Sequence, residues 1–351
     1  MRRKLSVTIT LMMAIILLSG CASYTTLSGH TWSVLALAWT PDGKILASGS
    51  QDTTIRLWRE DGAPLAILSG HIARVVDLAW SPDGKILASA SWDNTVRLWG
   101  LDGKAIATLA GHKEVVRRVR CSPDGKVLAS TSDDKTIRLW SADGKLSNIL
   151  QGHTDLIESI AWSPDSKLLA SASSDKTVRL WNKEGQAIAI LNGHTFYVVS
   201  VAWSPDGKLL ATGGGYPDNT VHLWSAEGKP LMTFADHSYS VLNLTWSPDS
   251  KKLAAILADN TIHLWGADGK SIAALKGHTY DIESLAWSPN GKFLASGSWD
   301  KTARLWTGDG KLITTFSDPN SNVEAVAWKP DSKILAVGSW DDKVRLWKVE
   351  N

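Results

Sequence analysis

The residues with the most evident chemical potential are a histidine, a hydroxyl and an aspartate held at fixed spacing. His71, Ser89 and Asp93 form one set, and it recurs as His30/Ser48/Asp52, His112/Ser130/Asp134, His153/Ser171/Asp175, His194/Thr212/Asp218 and His278/Ser296/Asp300. Nucleophile, general base and orienting carboxylate are the parts of acyl-transfer chemistry. Repetition argues against that use, because one domain needs one active site and a structural device can be copied at will. No metal-ligand cluster, phosphate loop or singular acid–base pair stands out. The chain is therefore not expected to be an enzyme, and no catalytic residue, cofactor or metal is assigned. His222 and His263, where other copies carry an Arg56-type residue, are expected to be neutral surface variants and not ligands.

The elements that position these sets come from the tryptophans. A Leu-Trp pair closes each copy at Trp58, Trp99, Trp140, Trp181, Trp224, Trp265, Trp306 and Trp347, at steps of 41 residues with one of 43. Within the second copy, Val75 to Trp80 alternates as an inner strand. Ser81-Pro82-Asp83-Gly84-Lys85 is a tight turn, with proline presetting φ and glycine accepting positive φ. Further strands follow over Ile86 to Ala90, Thr95 to Trp99 and Ala105 to Leu109, so each period holds four short antiparallel strands.

A period of this length, with Gly-His near its start and Trp near its end, resembles the blades of WD-repeat β-propellers. The resemblance implies an all-β, eight-bladed WD-repeat β-propeller. The last copy ends after three strands, and Ser23 to Leu27 stands where an outer strand would, so the N-terminal strand is expected to pair with the last blade and close the ring. Left unpaired, that blade would expose an edge. The resemblance also gives the repeated sets a structural meaning. His30, Ser48, Asp52 and Trp58, and likewise His71, Ser89, Asp93 and Trp99, would form buried hydrogen-bonded tetrads. The sixth copy has Ala255 in the hydroxyl place, and the eighth has Pro319 and Val337 in the His and hydroxyl places. Those two blades are expected to be held mainly by packing.

Fifteen of the 19 tryptophans fit scaffold positions, eight closing strands and seven at the Trp39-type inner-strand site, where the third copy has Cys121. Cys121 is expected to act as a small buried hydrophobe. The remaining four are Trp32, Trp92, Trp299 and Trp340. All fall in loops of the face that carries the Gly-His and Asp turns, called the top, and a continuous indole patch is expected over blades seven, eight, one and two. Two readings stand for it: partner anchors, or seals between blades. Arg74, Arg117, Arg118, Glu158, Asp281, Glu283, Glu324 and Tyr197 add polarity around it. The Gly213–Pro217 insertion with Tyr216 is either a contact element or drift. Trp32, Trp92, Trp299, Trp340, Arg74, Arg117, Tyr197 and Tyr216 are the candidate partner contacts.

The N-terminus has its own pattern. Arg2, Arg3 and Lys4 precede an apolar run over Leu5 to Leu18, which is the layout of a secretory signal. Leu18-Ser19-Gly20-Cys21 resembles a bacterial lipobox. That resemblance implies cleavage after residue 20, lipidation of Cys21 and a single propeller domain over 21–351. Ala22 after the cysteine implies the outer membrane where the source has two membranes. Without residues 1–20 the chain has 34 basic and 35 acidic side chains, which gives no basic footprint for nucleic acid. The expectation is a lipid-anchored scaffold of the bacterial cell envelope, a monomeric propeller within a complex, binding protein partners on its top face. The alternative is a binder of a small molecule or cell-wall fragment in the central channel.

Overall fold

The computed structural model describes residues 24–235, 237–317 and 321–350. The signal segment, the lipobox with Cys21, and Pro319 lie outside these residues. Among the described residues there are 32 strands and no helix, in eight four-stranded antiparallel sheets. Blade one is β2 (Val34–Trp39), β3 (Ile45–Ser50), β4 (Ile55–Arg59) and β5 (Pro64–Leu68), and the next six blades repeat that order.

The eighth blade is assembled from both ends of the chain. It joins β30 (Val323–Trp328), β31 (Ile334–Ser339) and β32 (Lys343–Lys348) to β1 (Tyr24–Ser28). Tyr24 pairs with Trp347 and Ser28 with Lys343, and the Tyr24 and Trp347 rings lie 4.2 Å apart. The expected closure is therefore present, and it covers the edge that β32 would otherwise expose.

Hydrophobic clusters lie between neighbouring blades. Ile55, Leu57 and Leu68 of blade one, for example, pack on Val75, Leu78 and Trp80 of blade two. All eight closing tryptophans and the seven inner-strand tryptophans are buried. Each aromatic side chain removes roughly 150–250 Å² from water, so the ring is held largely by indole burial.

The inner strands do not simply alternate. Every one carries a β-bulge, at Leu35, Val76, Arg117, Glu158, Val199, Leu242, Glu283 and Glu324. The expected period-two pattern over Val75 to Trp80 is broken by the unpaired residue. A bulge re-aims its side chain, so these eight residues form a ring of equivalent positions near the top of the channel.

Inner-strand edges are satisfied by the neighbouring blade. Asp77 accepts the N–H of Val119 at 2.9 Å, Ser200 that of Leu244 at 3.0 Å and Ser284 that of Val326 at 3.1 Å. Indole bonds between blades follow a two-blade period. Trp80, Trp162, Trp246 and Trp328 donate to the carbonyls of Ala38, Arg120, Ala202 and Ala286 at 3.0–3.1 Å. Among the described residues, the indole N–H groups of Trp39, Trp203 and Trp287 in odd blades are buried without a partner. On the bottom, Ser166, Ser250 and Ser332 sit at φ near +61° and accept the N–H of Asp124, Asp206 and Asn290 from the preceding odd blade. Even blades thus grip the odd blade before them.

Candidate functional site: tetrads, top face and channel mouth

The repeated hydroxyl–His–Asp sets are closed chains of hydrogen bonds. In blade two, the Trp99 indole donates to Ser89 Oγ at 2.8 Å. Ser89 Oγ lies 2.8 Å from His71 Nε2, and His71 Nδ1 lies 2.6 Å from Asp93. An indole only donates and an ionised carboxylate only accepts, so the Nδ1 nitrogen carries the ring proton and Nε2 accepts from the hydroxyl. His30, Ser48, Asp52 and Trp58 repeat this at 2.8–2.9 Å. Thr212 serves in blade five, 2.8 Å from His194 and 2.9 Å from Trp224.

The hydroxyl oxygens at Ser48, Ser89, Ser130, Ser171, Thr212 and Ser296 belong to fully buried residues. A nucleophile must meet a substrate carbonyl, and here an indole fills the place that a substrate would need. The tetrads fasten the Gly-His loop to the Asp turn. Burial pushes the Asp93 carboxyl up, but donors from His71, Thr95 and the Ile72 N–H outweigh it and hold the group well below the ordinary range. Asp52 behaves in the same way.

Two blades depart from this chain. Ala255 in blade six is fully buried among Leu253, Leu257 and Trp265, and His237 Nδ1 turns to the Tyr239 carbonyl at 3.1 Å. Blade eight is not held by packing alone. Arg345, itself buried, donates from both terminal nitrogens to Asp341 and reaches Ser339 Oγ at 3.1 Å. The same strand position holds Arg56, Arg97 and Arg179, which stack about 6 Å over Trp58, Trp99 and Trp181. With Val337 in the hydroxyl place, the arginine turns to the carboxylate.

His222 and His263 are half-buried. The His222 ring lies 4.2 Å from His194 and stacks 5.6 Å from Trp224. Burial first, and then the neighbouring His194, lowers its pKa to about 4. His194, Asp218 and His222 bring ligand atoms within 4.8 Å of one another. Both ring nitrogens of His194 already serve the tetrad, so a metal there would have to break it. Cys121 is half-buried, not fully buried, and burial pushes its thiol up to about 12.

The four tryptophans outside the scaffold lie open or half-open. Trp32 is 60% exposed, Trp340 44% and Trp92 37%, while Trp299 is half-buried. They do not form one stacked run. The Trp299 and Trp340 rings pair at 5.3 Å, and both indoles donate to Glu324 Oε2, at 3.1 and 2.8 Å. Trp92 lies under the Arg74 guanidinium at 4.0 Å, with Arg117 6.0 Å away. Trp32 has no ring contact with the other three among the described residues. Arg117 is also held bidentately by Asp133, which raises its pKa.

Tyr197 is half-buried and lies against Gly215 so closely that a Cβ there would overlap its ring. The blade-five insertion is thus built on Tyr197, and a hydrogen bond from the Tyr216 N–H to Ser240 ties it to blade six at 2.8 Å. Tyr216 itself is exposed.

Sequence reasoning missed Tyr239 and Tyr280, which are exposed on the same face. Both stand two residues after the loop histidine, as Trp32 does, so register was the signal available. Tyr280 stacks on Trp299 at 6.2 Å. An aromatic arc therefore runs over blades five to eight and on to one and two, leaving the polar loops of blades three and four outside it.

The central channel holds about 850 Å³, and a recess of about 280 Å³ opens at its top mouth. The recess is lined by Arg74, Trp92, Arg117 and Arg118 on one side, Glu283 and Glu324 on the other, with Leu35 and Val76 between them.

Eight four-stranded blades, a strand exchange that closes the ring and an aromatic top face define an interaction-type β-propeller. Four consecutive segments, residues 21–59, 62–100, 103–141 and 144–182, match the model described as WD domain, G-beta repeat, and residues 182–351 match the one described as IFT122 first beta-propeller. The chain is a WD-repeat β-propeller protein, a class of typically non-enzymatic scaffolds. The Notchless protein homolog of Arabidopsis thaliana is 61% identical over 33 residues, 9% of this chain and 7% of that protein. Protein Mut11 of Chlamydomonas reinhardtii is 59% identical over 32 residues, 9% of each chain. The matched stretches thus span under a tenth of either relative.

Proposed function

We propose that this protein is a membrane-tethered scaffold that docks protein partners on the aromatic arc of its top face. The observation that carries the reading is the Trp299–Trp340 pair, pinned by two hydrogen bonds to Glu324 while Trp340 keeps 44% of its surface open. An indole already fixed in one orientation loses little side-chain entropy on binding, and exposed aromatic surface of this kind is typical of binding hot spots.

The tether rests on the lipobox-like Leu18-Ser19-Gly20-Cys21. Tyr24 pairs with Trp347, at the bottom end of the last blade. Cys21 is three residues upstream, a reach of at most about 11 Å. Acyl chains on Cys21 would keep the bottom near the bilayer and turn the arc away from it.

The test of docking is affinity capture from solubilised membranes with three folded proteins: wild type, Trp32→Ala/Trp340→Ala, and a Lys85→Ala/Lys126→Ala bottom control. A partner held by wild type and the control but lost by the indole variant supports the reading, and the same partners on all three overturn it. The tether is tested by palmitate incorporation and membrane retention. Both are expected in wild type and absent in Cys21→Ser, and a wild-type chain that takes up no label overturns it.

A further inference from the structure

The ring of bulge residues has an uneven chemistry. Blades one and two contribute Leu35 and Val76, blade three Arg117, and blades seven and eight Glu283 and Glu324. Arg118 follows Arg117 into the channel, where the other blades carry Ala, Asp, Ser or Asn. The recess at the mouth therefore has a basic wall and an acidic wall, with an apolar strip between them.

The two walls do not neutralise each other. Arg117 is taken by Asp133, Arg120 by Asp77, and Glu324 by the two indoles. Among the described residues, the side chains of Arg118 and Glu283 have neither an ion pair nor a hydrogen bond, although both line the same recess. Both side chains are exposed to the solvent of the mouth, so a ligand of opposite charge can reach each of them without displacing a protein partner.

We propose that this recess binds a compact zwitterion, an ω-amino acid whose carboxylate meets Arg118, whose ammonium meets Glu283 beside Glu324, and whose aliphatic chain lies over Leu35 and Val76. The volume of about 280 Å³ suits a small molecule. The electrostatics agree: enclosure draws the Arg118 pKa down, and burial, then Glu324 and Asp281, push Glu283 up to about 7. Asp77 and Glu158 offset part of the Arg118 charge without an ion pair, while the charges that act on Glu283 are like charges. The recess shares Trp92 and Glu324 with the docking arc, but Trp32 and Trp340, which the docking variant removes, do not line it, so the two readings are tested by different substitutions.

The experiment is isothermal titration of the folded chain with β-alanine, γ-aminobutyrate and ε-aminocaproate, against hexylamine and hexanoate as single-charge controls. At least one ω-amino acid is expected to bind about tenfold or more tighter than either control, as two charge-assisted contacts require. Arg118→Gln and Glu283→Gln are each expected to weaken it about tenfold, with Arg118→Lys retaining part of the affinity. Melting curves establish that each variant is folded. Binding no tighter than that of the controls overturns the proposal, and so does a loss on only one of the two Gln substitutions. A response to a lysine-terminated peptide but not to the free amino acids also overturns it.

Discussion

Arg345 closes on Asp341 with both terminal nitrogens of its guanidinium, and this pair stands in blade eight where other blades use a histidine. Both side chains are mostly buried, at 9% and 16% exposure. Removing Asp341 takes from Arg345 the carboxylate that meets both of its terminal nitrogens, although the Ser339 Oγ contact remains. Asp341→Asn is expected to cost about 2–4 kcal/mol, a little below the usual penalty for a broken buried pair because of the residual exposure. Chemical denaturation measures it. The Asp341→Asn/Arg345→Met double variant should recover part of the loss, and a purely additive cycle would mean that the pair is not coupled.

The tetrads make a second prediction that separates structure from catalysis. Ser89→Ala leaves His71 Nε2 and the Trp99 indole N–H buried without their shared partner, at about 1–3 kcal/mol. Ser89→Thr should be tolerated, because Thr212 already does the same work in blade five. Equal loss on both substitutions, read from urea melts, would show that packing rather than the hydroxyl governs the site.

The response to acid follows from the tetrad aspartates. Asp52, Asp93, Asp134, Asp175, Asp218 and Asp300 all titrate below the ordinary 3.8, since hydrogen bonds outweigh the opposing effect of burial. Above that value folded and unfolded chains are both ionised and the stabilisation is complete. Below it the unfolded chain takes up protons first, and stability is lost progressively as pH falls toward the folded values. Thermal melts should therefore change little from these groups above about pH 5 and fall steeply below about pH 4.

Glu283 works in the opposite direction. Its carboxyl is raised from 4.5 to about 7, by burial first and then by Glu324 and Asp281, with Arg74, Arg117 and Arg118 across the recess. Between those values the unfolded chain has lost the proton while the folded chain keeps it. This group therefore lowers stability as pH rises through the window and adds no further slope above it. Glu283→Gln should remove that slope and raise the melting temperature at pH 8. An unchanged profile would mean that the carboxyl is already compensated.

Cys121 occupies the one inner-strand site without a tryptophan, beside a gap of about 40 Å³ between blades two and three. Its thiol is raised from 9.0 to about 12 by burial, so the thiolate that reacts is scarce. In a Cys21→Ser chain at pH 8, labelling of Cys121 should be at least about a hundredfold slower in the native state than in urea. Comparable rates would place the thiol in free contact with solvent.

Much of the fold is legible in the order of residues. The repeated Leu-Trp pairs mark eight blades, the truncated last copy and the segment Ser23 to Leu27 foretell the closure, and the His, hydroxyl, Asp and Trp places mark the tetrads. These relations are local or recur at one period, so pattern alone exposes them. Tyr239 and Tyr280 were equally within reach, since they share the register of Trp32.

The rest depended on how separate blades meet. A bulge is an offset between two paired strands, so Leu35 or Glu283 is not visible as one until both strands are in place. Trp80 and Trp162 bond to the preceding blade while Trp39 and Trp203 do not, and the four residues look alike in sequence. Arg345 turns to Asp341 while Arg56 stacks over Trp58, although the two hold the same strand position. Arg118 and Glu283 face one recess although 164 positions separate them. Sequence determined what each blade contains, because short strands and turns are set by neighbouring residues. Only the closed ring decided which charges face each other and which are left unpaired, because that depends on the angle between blades far apart in the chain.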